Sequence, residues 1–320
     1  MILFTADWHI KLGQKNVPEQ WARNRYSMFY EQVHKLEEKV DLHIIGGDLF
    51  DRLPNMAELE LYFEFVKNVN VDTIIYDGNH EATKKHHTFF DQLRSVTEAI
   101  NPKVRIITES YLDKEYGFGI LPYTDLHKKN SVESFYGNTD ILFTHVRGEI
   151  PPHVKPEVDL GRFKRFEYVY TGDLHSHSNT QGNLIYPGSP MTTSFHRNEV
   201  STGYLLIDPT TWGWTWHEFE LPQLIRKTVV DPADMLQTDY HHTIYEIEGD
   251  IQELSQIQNS DLLDKKVVKR ATEATLVLNK EATIEEELVE YLTYILELDE
   301  ARIPKIIGTF NDYASKVEME

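Results

Sequence analysis

The sequence predicts an α/β fold: layered strands and helices up to about residue 150, then strand-rich segments and a helical end. Three features carry that reading. Short apolar runs alternate with stretches of helical periodicity along the first part of the chain. After Arg165 the helical pattern thins while strand-like runs continue. From Ala282 to Val317 helix-forming residues return.

In chain order, Ile2-Leu3-Phe4 reads as a buried strand that ends at Asp7. Glu19 to Val40 is predicted helical because Phe29, Val33, Leu36 and Val40 recur at helical spacing. Leu42 to Ile45 is a second strand, stopped by Gly46-Gly47, and Ala57 to Val69 a helix with Leu61, Phe65 and Val69 on one stripe. Val71 to Tyr76 is a strand stopped by Asp77-Gly78, and Thr88 to Ile100 another helix. Val104–Ile107, Phe118–Leu121 and Ile141–Thr144 follow as strands. Then come Tyr168–Thr171, Leu184–Tyr186, Gly203–Ile207, Trp212–Phe219 and Ile225–Val230. Trp212, Trp214 and Trp216 alternate, so they share one sheet face and are expected to pack in the core. Strands at Ile244–Ile247 and Ala274–Leu278 bracket a short helix near Ile251–Ile257.

Length and composition narrow the function. The 320 residues suit about two domains at roughly 150 residues each. With 32 Lys plus Arg against 52 Asp plus Glu, the formal charge is −20, which opposes non-specific nucleic-acid binding by overall field. It leaves room for a local site whose positive charge comes from metal ions. The absence of Cys removes disulfides, thiolate zinc sites, iron–sulfur clusters and thiol nucleophiles. No apolar run approaches the ~18 residues of a membrane span, and a carboxylate at position 7 argues against a signal peptide. A cytoplasmic location is expected.

The strand ends carry the chemistry. Asp7-Trp8-His9 follows the first strand, Gly47-Asp48 the second and Gly78-Asn79-His80-Glu81 the third. Thr144-His145 and Gly172-Asp173-Leu174-His175 close two later ones. In open α/β sheets ligands bind at the carboxyl ends of strands. Asp7, His9, Asp48, Asn79, His145, Asp173 and His175 offer oxygen and imidazole donors without sulfur, a set suited to Mn²⁺, Fe²⁺, Zn²⁺ or Mg²⁺. Seven groups exceed one tetrahedral ion and suit two ions, which together clamp a phosphate and acidify a water.

These motifs, in this order, resemble the calcineurin-like metallophosphoesterase superfamily, whose pattern is Asp-x-His, Gly-Asp, Gly-Asn-His-Asp/Glu, His and Gly-His-x-His. Gly47-Asp48-Leu49-Phe50-Asp51, the spacing from Asp7 to Asp48, and Tyr186-Pro187-Gly188-Ser189-Pro190 make the chain similar to SbcD-type DNA-repair nucleases and bacteriophage recombination endonuclease subunits. The resemblance implies a four-layer α/β/β/α sandwich over residues 1–222, a small α+β DNA-capping domain over 223–280 and a helical partner-binding tail over 281–320. It implies two divalent ions, Mn²⁺ foremost with Mg²⁺ as the alternative. Asp7, His9, Asp48 and His175 would hold one, and Asp48, Asn79, His145 and Asp173 the other. His80 matches the catalytic histidine, with Asp51 as its expected partner. Asp173 departs from the pattern, which has His there, and adds a negative charge. The rival register gives the two histidine roles to His175 and His177.

The implied activity is a two-metal DNA exonuclease and endonuclease subunit, acting in recombination and repair with an SbcC-type coiled-coil ATPase. In the tail, Ile284, Leu288, Tyr291, Leu292 and Ile295 form one apolar stripe, and Ile306, Ile307, Phe310 and Tyr313 a second, suited to docking on that ATPase or to packing back on the chain. The resemblance also implies a homodimer, with Leu61, Phe65, Phe89, Phe90 and Leu93 as candidate contacts. Lys84-Lys85 with His86-His87, the trio Arg162, Lys164 and Arg165, and the cluster Lys265, Lys266, Lys269 and Arg270 are candidate DNA contacts or solvated surface. Two other functions compete. Gly78-Asn79-His80-Glu81 and Asp51-Arg52 also suit a phosphoprotein phosphatase, although Leu53 stands where that branch has Gly. A non-catalytic scaffold is disfavoured by the full ligand set.

Overall fold

The computed structural model describes residues 1–84, 86–268, 283–296, 298 and 302–317. Lys85, Lys269, Arg270, the strand expected at 274–278 and the boundary expected at 280/281 lie outside the described residues. The chain forms two compact units, Met1–Glu246 with Asn259–Lys265, and Ile247–Gln258 with Lys266–Glu320.

The first unit is built on two sheets. The strands β1 (Ile2–Thr5), β2 (Leu42–Gly46), β3 (Asp72–Tyr76) and β4 (Val104–Ile107) run parallel. The second sheet takes the next five, β5 (Tyr111–Asp113), β6 (Phe118–Leu121), β7 (Ile141–His145), β8 (Tyr168–Gly172) and β9 (Leu184–Ile185), in the order β9-β8-β7-β6-β5. The chain then returns to the first sheet with β10 (Gly203–Ile207) and β11 (Trp214–Glu218), giving the order β11-β10-β1-β2-β3-β4. β10 is antiparallel to β1 and β11 to β10.

The alternation of side chains across each strand sets the layers. Ile2, Phe4, Ile44, Ile74 and Tyr76 face Phe118, Ile120, Phe143 and Tyr170 in a core between the sheets, and the Trp212, Trp214 and Trp216 stripe packs against it as expected. Leu3, Ile45 and Ile75 point the other way, into a core with α1 (Glu19–Glu37), α2 (Met56–Asn68) and α3 (Phe90–Ile100). Asn55 starts α2 with a capping box closed by Glu58. The far layer, against Leu121, Leu142 and Val169, consists of short helical turns at Tyr123–Leu126, Glu133–Phe135 and Leu160–Arg165. The architecture is the α/β/β/α sandwich, with one thin outer layer.

Leu61, Phe65, Phe89 and Phe90 are buried in the helix–sheet core and Leu93 packs against it, so the face expected for dimer contacts is interior. Their helical periodicity marks the core of this fold and not its outer surface. β12 (Leu224–Val229), β13 (His242–Gly249) and β14 (Leu263–Val268) form a three-stranded sheet in that order. Lys265 is engaged there by the buried Glu246 at 2.8 Å, and Arg162 in the first unit by Glu133 at 2.7 Å, so neither is a free basic group.

In the second unit the tail is helical at Ile284–Glu290, continues as a π-helical turn at Tyr291–Ile295, and resumes at Ile303–Val317 with Pro304 in its first turn. Leu292, Ile303 and Ile307 are buried together, with Leu288 packed on them. The two stripes therefore share a small core of their own, which the sequence had not suggested. Ile284, Tyr291 and Ile306 stay exposed.

Candidate metal centre

The centre forms where parallel strands end side by side. The β1–β2 pairing continues past both strands: the Asp7 N–H donates to the Gly47 carbonyl (3.1 Å), His9 N–H to Asp48 (2.9 Å) and Ile10 N–H to Leu49 (2.8 Å). Asp7, His9, Asp48 and Asp173 all have positive φ (57°, 47°, 49° and 98°). Such backbone is uncommon for residues other than glycine and clusters at functional sites. At Asp7, His9 and Asp48 it turns the side chain off the strand direction into the centre. Gly78 must lack a side chain, because a Cβ there would strike Asp48 Oδ1 and stand 2.9 Å from His145 Cε1.

Asp48 is the focus. Its Oδ2 lies 3.5 Å from His145 Nε2, 3.7 Å from His9 Nε2 and 3.8 Å from His80 Nε2. Three imidazoles from three separate strand ends thus converge on one carboxylate oxygen. Three overlapping groups bring their donor atoms together within 4.8 Å: Asp7, His9 and His175; His9, Asp48 and His80; and Asp7, Asp48 and His145.

The donors fit a cation. His145 donates Nδ1–H to the Gly46 carbonyl (2.9 Å), which aims Nε2 into the centre; burial opposes its charge, yet Asp48 raises it well above the ordinary imidazole value, so a cation there would take the place of the Nε2 proton. The Asn79 amide lies within 3.1 Å of that nitrogen and of both Asp48 oxygens. With its nitrogen inward it donates to them; with its oxygen inward every atom presents lone pairs to a common point, the arrangement a metal ion satisfies. His9 Nε2 and His175 Nε2 face each other at 3.0 Å, while the buried His9 Nδ1 has no hydrogen-bond partner. Burial drives His9 down to about 3 and lowers His175, so both imidazoles stay neutral as ligands require. Burial, reinforced by Asp48, pushes Asp7 up to about 8 although His145 opposes it. Burial works against ionised Asp48 too, yet His145, His9 and His80 hold its carboxyl far below the usual range.

His80 is at the mouth, its side chain 36% exposed. Its Nδ1–H donates to the main-chain carbonyl of Asp51 at 2.5 Å. The expected partner residue is right but the group is not: the Asp51 carboxylate is taken by Lys11 at 2.8 Å. His177 lies apart from the donor groups, bonded through Nδ1 to the Tyr186 carbonyl (2.6 Å) and stacked on Trp216. Asp173 stands beside the centre, its N–H donating to Asp7 Oδ1 (3.0 Å), but both its carboxylate oxygens accept from Arg147, at 3.0 and 3.1 Å.

Three contributors escaped sequence reasoning. Glu81 is fully buried and accepts from the main-chain N–H groups of Asp48 (2.9 Å), Phe50 (2.9 Å) and Gly78 (2.8 Å), stitching two ligand loops together. Burial and the nearby Asp48 push it up to about 8. Its place at the end of Gly-Asn-His-Glu was the available signal. Arg147 had none beyond its nearness to His145. Ser189, in Tyr186-Pro187-Gly188-Ser189-Pro190, ties two ligand loops as well. Its hydroxyl donates to the Asp7 carbonyl (2.7 Å) and its N–H to that of His175 (3.0 Å).

The calcineurin-like phosphoesterase family model matches residues 1–201. The chain belongs to that family. Over 323 residues it is 38% identical to the "Probable exonuclease subunit 1" of Escherichia phage T5, covering 98% of each chain. It is 24% identical over 224 residues to a protein of Invertebrate iridescent virus 6 named as a phosphoesterase, covering 64% of this chain and 75% of that one. A solved structure, TT1561 of Thermus thermophilus, aligns with a TM-score of 0.44 at 12% identity, over 68% of this chain and 97% of its own. The family and its relatives make the protein a hydrolase of phosphoesters with a divalent-metal centre. No described helix is long and apolar enough to cross a membrane.

Proposed function

We propose that the protein is a two-metal DNA nuclease subunit, exonuclease and endonuclease, that hydrolyses phosphodiester bonds in recombination and repair. The observation that carries this reading is the convergence of three histidine nitrogens on Asp48 Oδ2. Asp7, His9, Asp48 and His175 would hold one ion, and Asp48, Asn79 and His145 the other, with Mn²⁺ preferred and Mg²⁺ the alternative. When bound, two such ions supply Lewis-acid charge for the phosphoryl oxygens and an acidified water.

The chain's own residues do the rest. Asp48 ties the two donor sets together through one carboxylate. Gly46 and Thr193 orient His145 and His175 by accepting from, or pairing with, their outer nitrogens at 2.9 and 3.1 Å. His80, fixed by the Asp51 carbonyl, keeps Nε2 free at the mouth to stabilise charge on the substrate or protonate the leaving oxygen. An exonuclease activity and a partner subunit are supported by the name of the phage T5 relative, an exonuclease subunit; DNA as substrate and an SbcC-type ATPase as the partner follow from the motif resemblance alone. In the same proposal residues 223–280 cap the nuclease domain and 281–320 serve the partner. A homodimer would need side chains other than the buried set; Leu53 and Met56, beside the second ligand loop, are exposed.

Parallel assays on linear duplex DNA and on a phosphopeptide, each with Mn²⁺, test the reading. Release of nucleotides from DNA with little phosphate from the peptide is expected. The reverse preference would make the protein a phosphatase, and inactivity on both a scaffold.

A further inference from the structure

Arg147 and Asp173 form a pair at the edge of the centre that no role so far accounts for. Arg147 Nε donates to Asp173 Oδ2 at 3.0 Å and Nη2 to Oδ1 at 3.1 Å, a two-pronged fork on one carboxylate. None of the three donor groups contains Asp173, whose Oδ1 comes no nearer than 3.9 Å to His145 Nε2. A carboxylate neutralised in this way is a poor ligand for a cation, because both its oxygens already face positive charge. The pair sums to zero charge, so the added negative charge that Asp173 brings in the sequence is cancelled in the fold. Asp173 itself is fixed: its φ is 98° and its N–H is anchored on Asp7 Oδ1 at 3.0 Å.

Arg147 faces outward more than its partner does. Its side chain is 42% exposed, against 5% for Asp173. A guanidinium has five N–H donors in a rigid fork, and two of them are spent on Asp173, leaving three for another planar or tetrahedral anion. Its main-chain N–H donates to Glu157 Oε1 (2.9 Å), which fixes the strand exit from which it reaches. A half-exposed guanidinium held rigidly beside a phosphoester-hydrolysing centre matches one ligand class, a phosphate oxygen.

We propose that Asp173 is a positioning residue and not a metal ligand, and that the Arg147 it holds binds a non-bridging oxygen of the substrate phosphate. This rests on the two-ion reading above and adds a substrate contact to it. The pair does by geometry what a lone arginine would do only after losing side-chain freedom.

The test uses the full-length protein, Mn²⁺ calorimetry, and hydrolysis of bis(p-nitrophenyl) phosphate with inorganic phosphate as inhibitor. Asp173→Asn should bind as many Mn²⁺ ions as the wild type; Asn tolerates positive φ, so the loop is retained. Arg147→Gln should also keep the count, while KM and the inhibition constant of phosphate rise about tenfold and kcat changes less. Arg147→Lys keeps the charge and loses the fork, so it should fall between. Loss of one ion in Asp173→Asn would make Asp173 a ligand and overturn the proposal. So would unchanged KM and phosphate inhibition in Arg147→Gln, which decides the matter even if Asp173→Asn fails to fold. A wild type that binds fewer than two ions would refute the two-ion reading, whereas this proposal is judged by the difference between variant and wild type.

Discussion

On one side of Asp48, His9 and His175 face each other at 3.0 Å with the buried Asp7 beside them. On the other side His145 and Asn79 stand 3.1 Å apart, and the residue expected to complete that set, Asp173, is tied to Arg147 instead. Both halves take their donors from strand ends, but the backbone differs: Asp7 and His9 have positive φ, whereas Asn79 and His145 do not. They differ in what the side chains have left to give. The first half offers a carboxylate and two neutral imidazoles beyond Asp48; the second offers one imidazole and one amide. The lesson is that a motif position does not by itself make a ligand, because a neighbouring cation such as Arg147 competes for the carboxylate that the motif supplies.

The largest effect should come from removing what the halves share. Asp48→Ala should abolish hydrolysis and lower the Mn²⁺ count, read by calorimetry; an unchanged count would break the comparison at its centre. Next, His80→Ala should lose ~10²–10⁴-fold in turnover with the ion count kept, since its proposed role is at the substrate. Loss of an ion there would transfer His80 to the ligands, a role its distance of 3.8 Å from Asp48 Oδ2 also permits.

Glu81→Ala should strike both halves through the backbone. It leaves three buried N–H groups without an acceptor, and at roughly 1–3 kcal/mol each the cost is at least about 3 kcal/mol. A thermal melt of the metal-free protein should show the drop, and an unchanged midpoint would mean that water replaces the carboxylate. More subtly, the richer half should bind its ion more tightly, so Mn²⁺ titration should resolve two unequal steps. His175→Ala should remove the tighter step and His145→Ala the weaker; two equal steps would erase the distinction.

The smallest effect belongs to the tail. Deleting residues 281–320 removes 11 acidic and 3 basic groups, a change of 8 charges, but no member of the centre. Cleavage of a small phosphodiester should stay unchanged, while binding to an SbcC-type ATPase, measured by ultracentrifugation without DNA, should be lost. Persistent binding would place the docking surface elsewhere.

Much of this was legible in the sequence because strand ends and glycines are local features. The parallel strands that carry Asp7, Asp48 and Asn79 follow from apolar runs stopped by glycine or a carboxylate, and the order of the motifs pointed to their family. What escaped detection depends on tertiary contacts. Arg147 acquires meaning only when Asp173, 26 residues on, is brought against it. Glu81 acquires its role from main-chain N–H groups around Asp48, which no side-chain pattern records. The tail stripes were visible as apolar, but that Leu288, Leu292, Ile303 and Ile307 meet one another is a tertiary contact that periodicity does not record. The candidate dimer residues failed for a related reason: periodicity shows that a helix has an apolar face, not whether a sheet already covers it.

The central claim is that two ions share Asp48. Titration of the metal-free, full-length protein with Mn²⁺ tests it most directly. The account predicts two ions per chain, with hydrolysis of linear duplex DNA rising only as the second is taken up. A single ion per chain with full activity would contradict it.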